Sequence, residues 1–198
     1  MNSGTRTYRQ TTRARATRQT TERVLQAAHD LFLRLPFDQV TFNAVATEAG
    51  VGVQTVIRRF GTKDGLARAV GEWVAPQVAA NLGDPVSGDP AQVAGAFARH
   101  YERWALLTER TLHQQDASPV LAEQAEGGRR AHRAWVAAAF APRLGALGPD
   151  ARRQTLARLV AVTGVELWLV LRRDEGLEHD EACAALTDLI RAVLPPAP

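Results

Sequence analysis

Apolar residues recur along the chain at the spacing of one face of an α-helix, whereas alternating β-branched runs bounded by hairpin turns are missing. The clearest apolar stripe begins at Val24 and returns every three or four residues until Leu35. Pro36 predicts where this first helix stops. Alanine, leucine and arginine, which all favour helices, are abundant. The pattern predicts an all-α fold.

Two short amphipathic helices are predicted next, over about 42–49 and 53–60. Thr41 is placed to cap the first of them, and Gly50 can adopt the positive φ that lets a chain reverse within a few residues. Two helices joined in this way form a helix-turn-helix, whose second helix enters the major groove of DNA. The glycine spacing of a P-loop or of a dinucleotide-binding loop is absent.

The rest of the chain also has a helical pattern. A long fourth helix is predicted from Lys63, and Pro76 within it offers a hinge. The stretch 81–90, rich in Gly, Pro and Asp, is typical of a linker. Further helices are predicted over about 90–109, 119–144, 149–173 and 178–194.

Composition restricts the classes of protein that remain. An apolar content of 45% over 198 residues is enough for a substantial core. Cys183 is the only cysteine, which excludes an intramolecular disulfide framework, and no Cys or His cluster has zinc-ligand spacing. No apolar run approaches the roughly 18 to 20 residues that span a bilayer. We therefore expect a soluble cytoplasmic protein with no membrane contact.

Charge is distributed unevenly along the chain. Residues 1–70 carry 11 Lys and Arg against 5 Asp and Glu, a net charge of +6, whereas the remainder has a net charge of −3. Clustered cations attract a polyanion such as DNA, although a solvated tail explains charge alone equally well. The first 20 residues hold five arginines and no acid: Arg6, Arg9, Arg13, Arg15 and Arg18.

The segment from about Thr21 to Val70 resembles the TetR family of bacterial transcriptional regulators. The family pattern pairs "AA..LF" in the first helix with "T...IA..AGVS..TLY.YF..K..L", and this chain reads "VLQAAHDLF" and then "TFNAVATEAGVGVQTVIRRFGTKDGL". The resemblance implies a dimeric protein with a three-helix helix-turn-helix domain followed by a helical bundle. The predicted organisation is a flexible basic arm over 1–19, a DNA-binding domain over 20–66 and a ligand-binding and dimerisation domain over 67–198.

The chain departs from the family pattern at several positions. Gly52 stands where a serine often caps the recognition helix, and Ile57 replaces a tyrosine that often touches a backbone phosphate. Arg59 replaces a histidine or tyrosine, so phosphate binding is expected to pass to the arginines. Phe42 replaces a common second threonine, which leaves Thr41 as the expected hydroxyl donor to phosphate.

The second helix of the motif supplies the candidate base readers. Gln54 suits an adenine edge, Arg58 or Arg59 suits guanine O6 and N7, and Thr55 suits a thymine methyl group or a phosphate. Asn43 can reach a base or the backbone from the start of the preceding helix, although helix-start polarity explains it equally well. The candidate DNA-binding residues are Thr41, Asn43, Val53, Gln54, Thr55, Ile57, Arg58, Arg59 and Lys63.

Lys63 is the only lysine of the chain. Its ammonium group, together with the positive amino end of the helix that it opens, suits a phosphate oxygen. The family resemblance also implies a phosphate-contacting lysine at this position.

The carboxy-terminal part is rich in aromatic side chains and histidines, which suit a cavity for a mostly apolar small molecule. Helical stripes of aromatic residues are more often plain core. Four residues on the two helices that would flank such a cavity are the candidate ligand-binding residues: His100, Trp104, His132 and Trp135.

An enzyme is not expected, because paired Glu-x-x-His motifs, His-Glu-x-x-His and Gly-x-Ser-x-Gly are all absent. No cofactor or metal is expected. The expected partners are double-stranded DNA, a second copy of the chain and an unidentified effector. The prediction is a repressor that binds a palindromic operator as a homodimer and is released by that effector; the alternative is an effector-independent structural or global regulator of the same fold.

Two helices near the carboxy terminus have more apolar surface than one face requires. We expect this surface to form a four-helix interface across a two-fold axis, with Gly164 allowing close approach. The apolar residues concerned are Leu156, Leu159, Val160, Val165, Trp168, Leu169, Leu186, Leu189, Ile190 and Val193.

Overall fold

The computed structural model describes residues 4–86 and 88–195, with side chains from residue 15 onward. These residues form ten α-helices and no strand, which confirms the predicted all-α fold. Two short 3-10 turns and one π-helical segment, Val170–Asp174, accompany them. The helices are α1 (Gly4–Arg34), α2 (Phe42–Ala49), α3 (Val53–Phe60), α4 (Lys63–Leu82), α5 (Pro90–His113), α6 (Pro119–Ala139), α7 (Ala141–Gly145), α8 (Pro149–Val162), α9 (Val165–Leu169) and α10 (His179–Val193).

Helix α1 extends much further towards the amino terminus than the apolar stripe predicts. It begins at Gly4, so residues 4–19 are helical where a flexible arm was expected; residues 1–3 of that arm lie outside the described residues. Arginine, glutamine and alanine favour helices, and no proline interrupts the segment. Thr20 and Thr21 donate their hydroxyl hydrogens to carbonyls four residues earlier, a bond that holds a threonine inside a helix.

The helix-turn-helix forms as predicted. The Thr41 hydroxyl accepts the Ala44 amide at 3.2 Å and caps α2. Gly50 ends α2 with a φ of 64°, in the left-handed region that favours glycine. Gly52 precedes α3 in an extended conformation and provides no side-chain cap, as expected from the missing serine.

The chain divides into two compact units. The first consists of the residues up to Ala75 together with the segment Gln114–Leu121, and the second consists of 76–113 and the residues from Ala122 onward. This division lies nine residues after the predicted boundary at Leu66, because the first three turns of α4 pack with the first unit. Helix α4 therefore passes from one unit into the other, and the division falls immediately before Pro76.

The core of the second unit is formed mainly by α5, α6 and α10. Phe97 of α5 and Phe140, which follows α6, are each no more than 1% exposed. Leu186 and Ile190 of α10 are equally buried in the same cluster. Burial of large apolar side chains of this kind is the main favourable contribution to folding of the unit.

Two predicted helices are interrupted. Phe140 separates α6 from α7, and Thr163 with Gly164 separates α8 from α9. The Thr163 hydroxyl donates to the carbonyl of Leu159, a local bond that competes with helix continuation. A β-carbon on Gly164 would lie 3.3 Å from the carbonyl oxygen of Ala161. Glycine therefore permits a tight turn within the chain at this position.

Half of the apolar residues predicted at a dimer interface are instead core residues of their own unit. The hydrophobic cluster needs their side chains because α10 packs on both α5 and α8, and α9 packs on α5. The residues concerned are Leu159, Val165, Trp168, Leu186 and Ile190.

By length and composition alone, Pro149–Asp174 could cross a membrane, contrary to the expectation from the sequence. The two results differ because an average over 18 residues tolerates the Thr and Gly that interrupt the apolar run. The segment is not one continuous α-helix, since it includes the break at Thr163 and ends in the π-helical segment. One such segment is weak support for a membrane protein, because core helices of soluble proteins have the same composition.

Candidate functional site

Helix α3 has a polar and basic surface on the side opposite its buried residue, Val56. Val56 is fully buried and fixes the helix against the rest of the first unit. Successive residues of an α-helix are about 100° apart around its axis, so Arg58 lies about 160° from Val56, and Gln54 lies close to Arg58. Arg59 lies only about 60° from Val56. Gln54, Arg58 and Arg59 are all exposed. The centre of the outer face therefore carries Gln54 and Arg58.

The other predicted readers flank this centre. Ile57 is 38% exposed, and its side chain suits contact with a thymine methyl group. Val53 and Thr55 are half-buried. At the start of α2, Asn43 is exposed, and the Thr41 hydroxyl accepts the capping bond while its hydrogen remains able to donate. The contacts of these residues with DNA are predictions.

Lys63 has a structural role that the sequence did not indicate. Its Nζ donates to the carbonyl oxygens of Phe37 at 2.9 Å and Asp38 at 3.1 Å, and it lies 4.7 Å from the centre of the Phe37 ring. These contacts join the start of α4 to the connection between α1 and α2. An ammonium group has three donors, so one remains for a phosphate oxygen.

The turn between α3 and α4 depends on Gly65, which sequence analysis missed. A β-carbon at this position would lie 2.2 Å from the carbonyl oxygen of Phe60, far inside van der Waals contact. The Thr62 hydroxyl accepts the Gly65 amide at 3.0 Å and caps α4. The "FGTKDGL" segment therefore sets how the recognition helix leads into α4.

The connection between α5 and α6 belongs to the first unit. The Phe37 amide donates to the side-chain oxygen of Gln114, and Ser118 Oγ donates to Asp64 at 2.8 Å. Val120 packs with Phe37 in a small buried cluster. No distinctive motif in the sequence marks this segment, so only the fold reveals its position.

Three of the four predicted ligand-binding side chains surround one aromatic cluster in the second unit. His132 and Trp135 contact the Phe97 ring edge-on, at centroid distances of 5.2 and 5.0 Å. His100 contacts Tyr101, which stacks on Phe97 at 5.6 Å. Aromatic pairs at these distances contribute to packing, so the cluster also functions as core.

Each of these three residues has one ring nitrogen with a protein partner. His100 Nδ1 lies 3.1 Å from the Asn81 side-chain oxygen, and Trp135 Nε1 donates to the Gly83 carbonyl at 2.8 Å. His132 Nε2 lies 2.9 Å from the Thr163 hydroxyl. Both histidine bonds fix which ring nitrogen carries hydrogen, because the Asn81 oxygen can only accept and the Thr163 hydroxyl has already donated its hydrogen to a carbonyl.

Burial keeps both histidines neutral. Burial, with a smaller effect from nearby His132, lowers the pKa of His100 from 6.5 to about 4. Burial also lowers the pKa of His132, against an opposing effect of Glu166. Desolvation disfavours the charged form of a base, which is the cause in both cases. The pair therefore offers neutral imidazole nitrogens rather than positive charge.

Trp104 differs from the other three candidates. It lies one helical turn beyond His100 on α5 and is 6% exposed. Its Nε1 is buried, and among the described residues it has no hydrogen-bond partner. The Arg103 guanidinium carbon lies 5.0 Å from the centre of the Trp104 ring.

A groove of about 710 Å³ lies on the first unit, and none of the four candidate ligand residues lines it. Trp73 of α4 forms one side of it, and α1 forms the other. The α1 residues are Ala16, Gln19, Thr20, Glu22, Arg23 and Gln26. Among residues 4–86 and 88–195, no group of three or more His, Cys, Asp or Glu could hold a metal ion.

Comparison with known proteins agrees with this geometry. Residues 24–70 match the family model described as bacterial regulatory proteins, tetR family. No curated protein sequence matches the chain.

Several solved structures share the fold over most of the chain. A transcriptional regulator from Rhodococcus sp. Rha1 is 20% identical, with 87% of this chain and 94% of that chain covered and a TM-score of 0.69. A TetR transcriptional regulator from Legionella pneumophila is 17% identical, with coverages of 88% and 97% and a TM-score of 0.65. The multidrug binding protein EbrR, complexed with imidazole, is 20% identical, with coverages of 89% and 90% and a TM-score of 0.58.

The matched segment begins at Val24, the first buried residue from Arg15 onward, and ends in α4, so it contains the whole helix-turn-helix. Residues 24–70 therefore match the domain of the tetR family of bacterial regulatory proteins, and the chain shares the all-α fold of a solved TetR transcriptional regulator.

Proposed function

We propose that this protein is a transcriptional repressor that binds a palindromic operator as a homodimer in the cytoplasm and is released by a small-molecule effector. The observation that carries the DNA-binding part is the outer face of α3. A buried Val56 holds the helix in place, while Gln54 and Arg58 occupy the centre of its exposed side. Selection of bound duplexes from random DNA tests this part and supplies the operator sequence.

The two arginines of α3 are expected to contact different parts of the DNA. Arg58 lies at the centre of the outer face, where a bidentate contact with guanine O6 and N7 is possible, whereas Arg59 lies nearer the anchored side and suits the phosphate backbone.

Arg58→Ala is therefore expected to cost about 1–3 kcal/mol at the selected operator and to relax preference at one base position. Arg59→Ala is the matched control, and it should weaken operator and random DNA by similar factors. Competition binding at fixed salt measures how much affinity each variant loses for the operator and for random DNA. Equal losses on the two DNAs for Arg58→Ala would contradict the assignment.

The amino-terminal part of α1 adds positive charge to the segment that precedes the helix-turn-helix in the chain. Arg15 and Arg18 are exposed, and the first 21 residues contain no acid. Phosphate contacts made by such a segment release counterions, so they contribute to the salt dependence of binding.

Deletion of residues 1–18 is expected to make the slope of log affinity against log salt shallower, by roughly 0.9 for each phosphate that the segment neutralises. Replacement of the five arginines in the segment by glutamine, which keeps helix propensity, should have the same effect as the deletion. An unchanged slope in both variants would exclude a role for the segment in DNA binding.

Exposed apolar surface on the second unit supports the homodimer. Val170 is 42% exposed and Leu189 is 36% exposed. Only 33% of the most apolar window of Pro149–Asp174 is buried within the chain. Exposed apolar surface favours association, and a two-fold operator requires a two-fold protein.

Sedimentation at micromolar concentration is expected to show a dimer, and Leu189→Asp should shift it to the monomer because it places a charge in the apolar surface. Asp188→Asn, a change at the neighbouring exposed position, is the control and should leave the dimer intact. A wild-type monomer would contradict both the dimer and the palindromic operator.

Two connections can carry an effector's influence to the DNA-binding helices. Helix α4 starts directly after the recognition helix and ends at Leu82. Asn81 in its last turn is bonded to His100, and Gly83 just beyond it is bonded to Trp135. Helices α5 and α6 are joined by the segment Gln114–Leu121, which packs within the first unit. The structural neighbour EbrR, a multidrug binding protein, supports a ligand role for this fold.

Release requires the effector to change the spacing of two recognition helices, which must lie about 34–36 Å apart to meet successive major grooves. A coupling of about 1–3 kcal/mol is sufficient, and linkage requires DNA to weaken effector binding by the same factor. Ligand affinity measured with and without saturating operator tests this. Equal affinities for every ligand found would favour the effector-independent regulator.

A further inference from the structure

The groove on the first unit has the dimensions of a small-molecule site. Its volume of about 710 Å³ lies within the range of about 300–1,000 Å³ that is usual for such sites. All of its lining residues belong to α1 and α4 within the first unit. The groove is therefore formed by the first unit alone, and the DNA-reading face of α3 does not line it.

Trp73 provides an aromatic wall of the groove. The residue is half-buried, and the His29 ring packs nearly perpendicular to the indole with a centroid distance of 6.2 Å. The next residue, Val74, is 5% exposed and anchors this turn of α4 in the core. The indole is thus held in place while part of its surface faces the groove, where an aromatic ring can pack on it.

The α1 wall carries hydrogen-bond donors on one helical face. Gln19, Arg23 and Gln26 line the groove at positions i, i+4 and i+7, which bring their side chains to the same side of the helix. The Arg23 guanidinium is exposed and has the fork geometry that suits a carboxylate. Gln26 Nε2 donates one hydrogen to Asp30 at 2.9 Å and keeps a second one. This wall therefore favours a carboxylate group.

Glu22 adds the opposite charge to the same groove. It is exposed and lines the groove beside Arg23. Among the described residues, neither Glu22 nor Arg23 has an ion-pair partner. Glu22 would repel a ligand that is only an anion, and Arg23 would repel one that is only a cation. A ligand that carries both an ammonium and a carboxylate group avoids both repulsions.

We propose that this groove binds the zwitterion of an aromatic amino acid. Its ring packs on Trp73, its carboxylate pairs with Arg23 and its ammonium group pairs with Glu22. The proposal goes beyond the effector release proposed above, because it adds a ligand site within the DNA-binding unit. Both charged side chains remain in contact with solvent, so each ion pair strengthens binding by at most about fivefold.

Three probes with the same ring separate the two charges. L-Phenylalanine carries both charges, hydrocinnamate lacks the ammonium group and phenethylamine lacks the carboxylate. Each probe is titrated into the full-length, 15N-labelled protein, and the indole N–H signals are followed. The signal that is missing from Trp73→Phe identifies Trp73.

L-Phenylalanine is expected to shift the Trp73 signal and to bind about two- to fivefold more tightly than either analogue. Arg23→Gln should abolish its preference over phenethylamine, and Glu22→Gln should abolish its preference over hydrocinnamate. The controls are Arg18→Gln on α1 and Glu72→Gln next to Trp73, at exposed positions that do not line the groove. Both controls should keep the two preferences.

Three results would overturn the proposal: no shift of the Trp73 signal by L-phenylalanine, equal affinities for the three probes, or preferences that persist in Arg23→Gln and Glu22→Gln. The titrations contain no DNA, so a failure here does not bear on the proposed DNA-binding function. The comparison of Arg58→Ala on operator and random DNA tests that function separately.

Discussion

Gly65→Ala is expected to unfold or strongly destabilise the helix-turn-helix domain. The new β-carbon would lie 2.2 Å from the Phe60 carbonyl oxygen, and this oxygen already accepts the Thr62 amide at 2.7 Å. Because the obstacle is backbone rather than a flexible side chain, the α3–α4 turn must open to accommodate it. We expect a loss of about 3 kcal/mol or more in the free energy of unfolding, together with loss of operator binding.

The matched control is Gly128→Ala. Gly128 lies inside α6, and no atom lies within 4 Å of a β-carbon built there. Alanine at such a helical position should stabilise the protein by about 0.5–1 kcal/mol. Denaturant unfolding of both variants measures the two effects. A Gly65→Ala protein as stable as the wild type, with normal DNA affinity, would show that the turn adapts without cost.

The sequence predicted the helix-turn-helix well because its signals are local. Thr41 caps α2 and Gly50 has the positive φ that the turn requires, as the pattern indicated. The special status of Gly65 could not be found in the same way, since it depends on the distance between two turns of chain rather than on a capping or periodic pattern. For Lys63, a charge next to a helix start predicted phosphate binding, but two nearby backbone carbonyls also bind it.

The second unit was predicted less completely because its features depend on tertiary contacts. Apolar periodicity located its helices, yet it did not separate core residues such as Ile190 from exposed ones such as Leu189. The break at Thr163 follows from a hydroxyl bonded to its own helix, which periodicity does not detect. The docking of Gln114–Leu121 in the first unit depends on contacts between residues far apart in sequence, such as Phe37 and Gln114.

The predicted effector site also depends on tertiary contacts that the sequence does not reveal. Residue type and helical spacing selected His100, Trp104, His132 and Trp135 as one group. The structure divides this group by hydrogen-bond state, since Trp104 alone has a buried polar atom without a partner among the described residues. Composition cannot supply that distinction, because it depends on which carbonyls and side-chain oxygens the fold places nearby.

Acidification is expected to destabilise the protein between about pH 6.5 and pH 4 through His100. Its pKa falls from 6.5 to about 4 on folding, so within this window the unfolded chain binds a proton that the folded chain does not. Stability is therefore fully present above pH 6.5 and declines as the pH falls towards 4. A shift of this size corresponds to a loss of about 3 kcal/mol, and His132, whose pKa burial also lowers, adds to it.

His100→Gln tests the origin of this pH dependence. Glutamine does not titrate, and its amide N–H can still donate to the Asn81 oxygen that His100 contacts at 3.1 Å. The variant should therefore lose most of the difference in free energy of unfolding between about pH 7 and about pH 4.5, measured by urea unfolding at each pH. His113→Gln, at an exposed position at the end of α5, is the control for replacing a histidine and should keep the wild-type profile. If His100→Gln retains the full wild-type decline, the acid sensitivity arises elsewhere, and the buried imidazole is not the group whose protonation opposes folding.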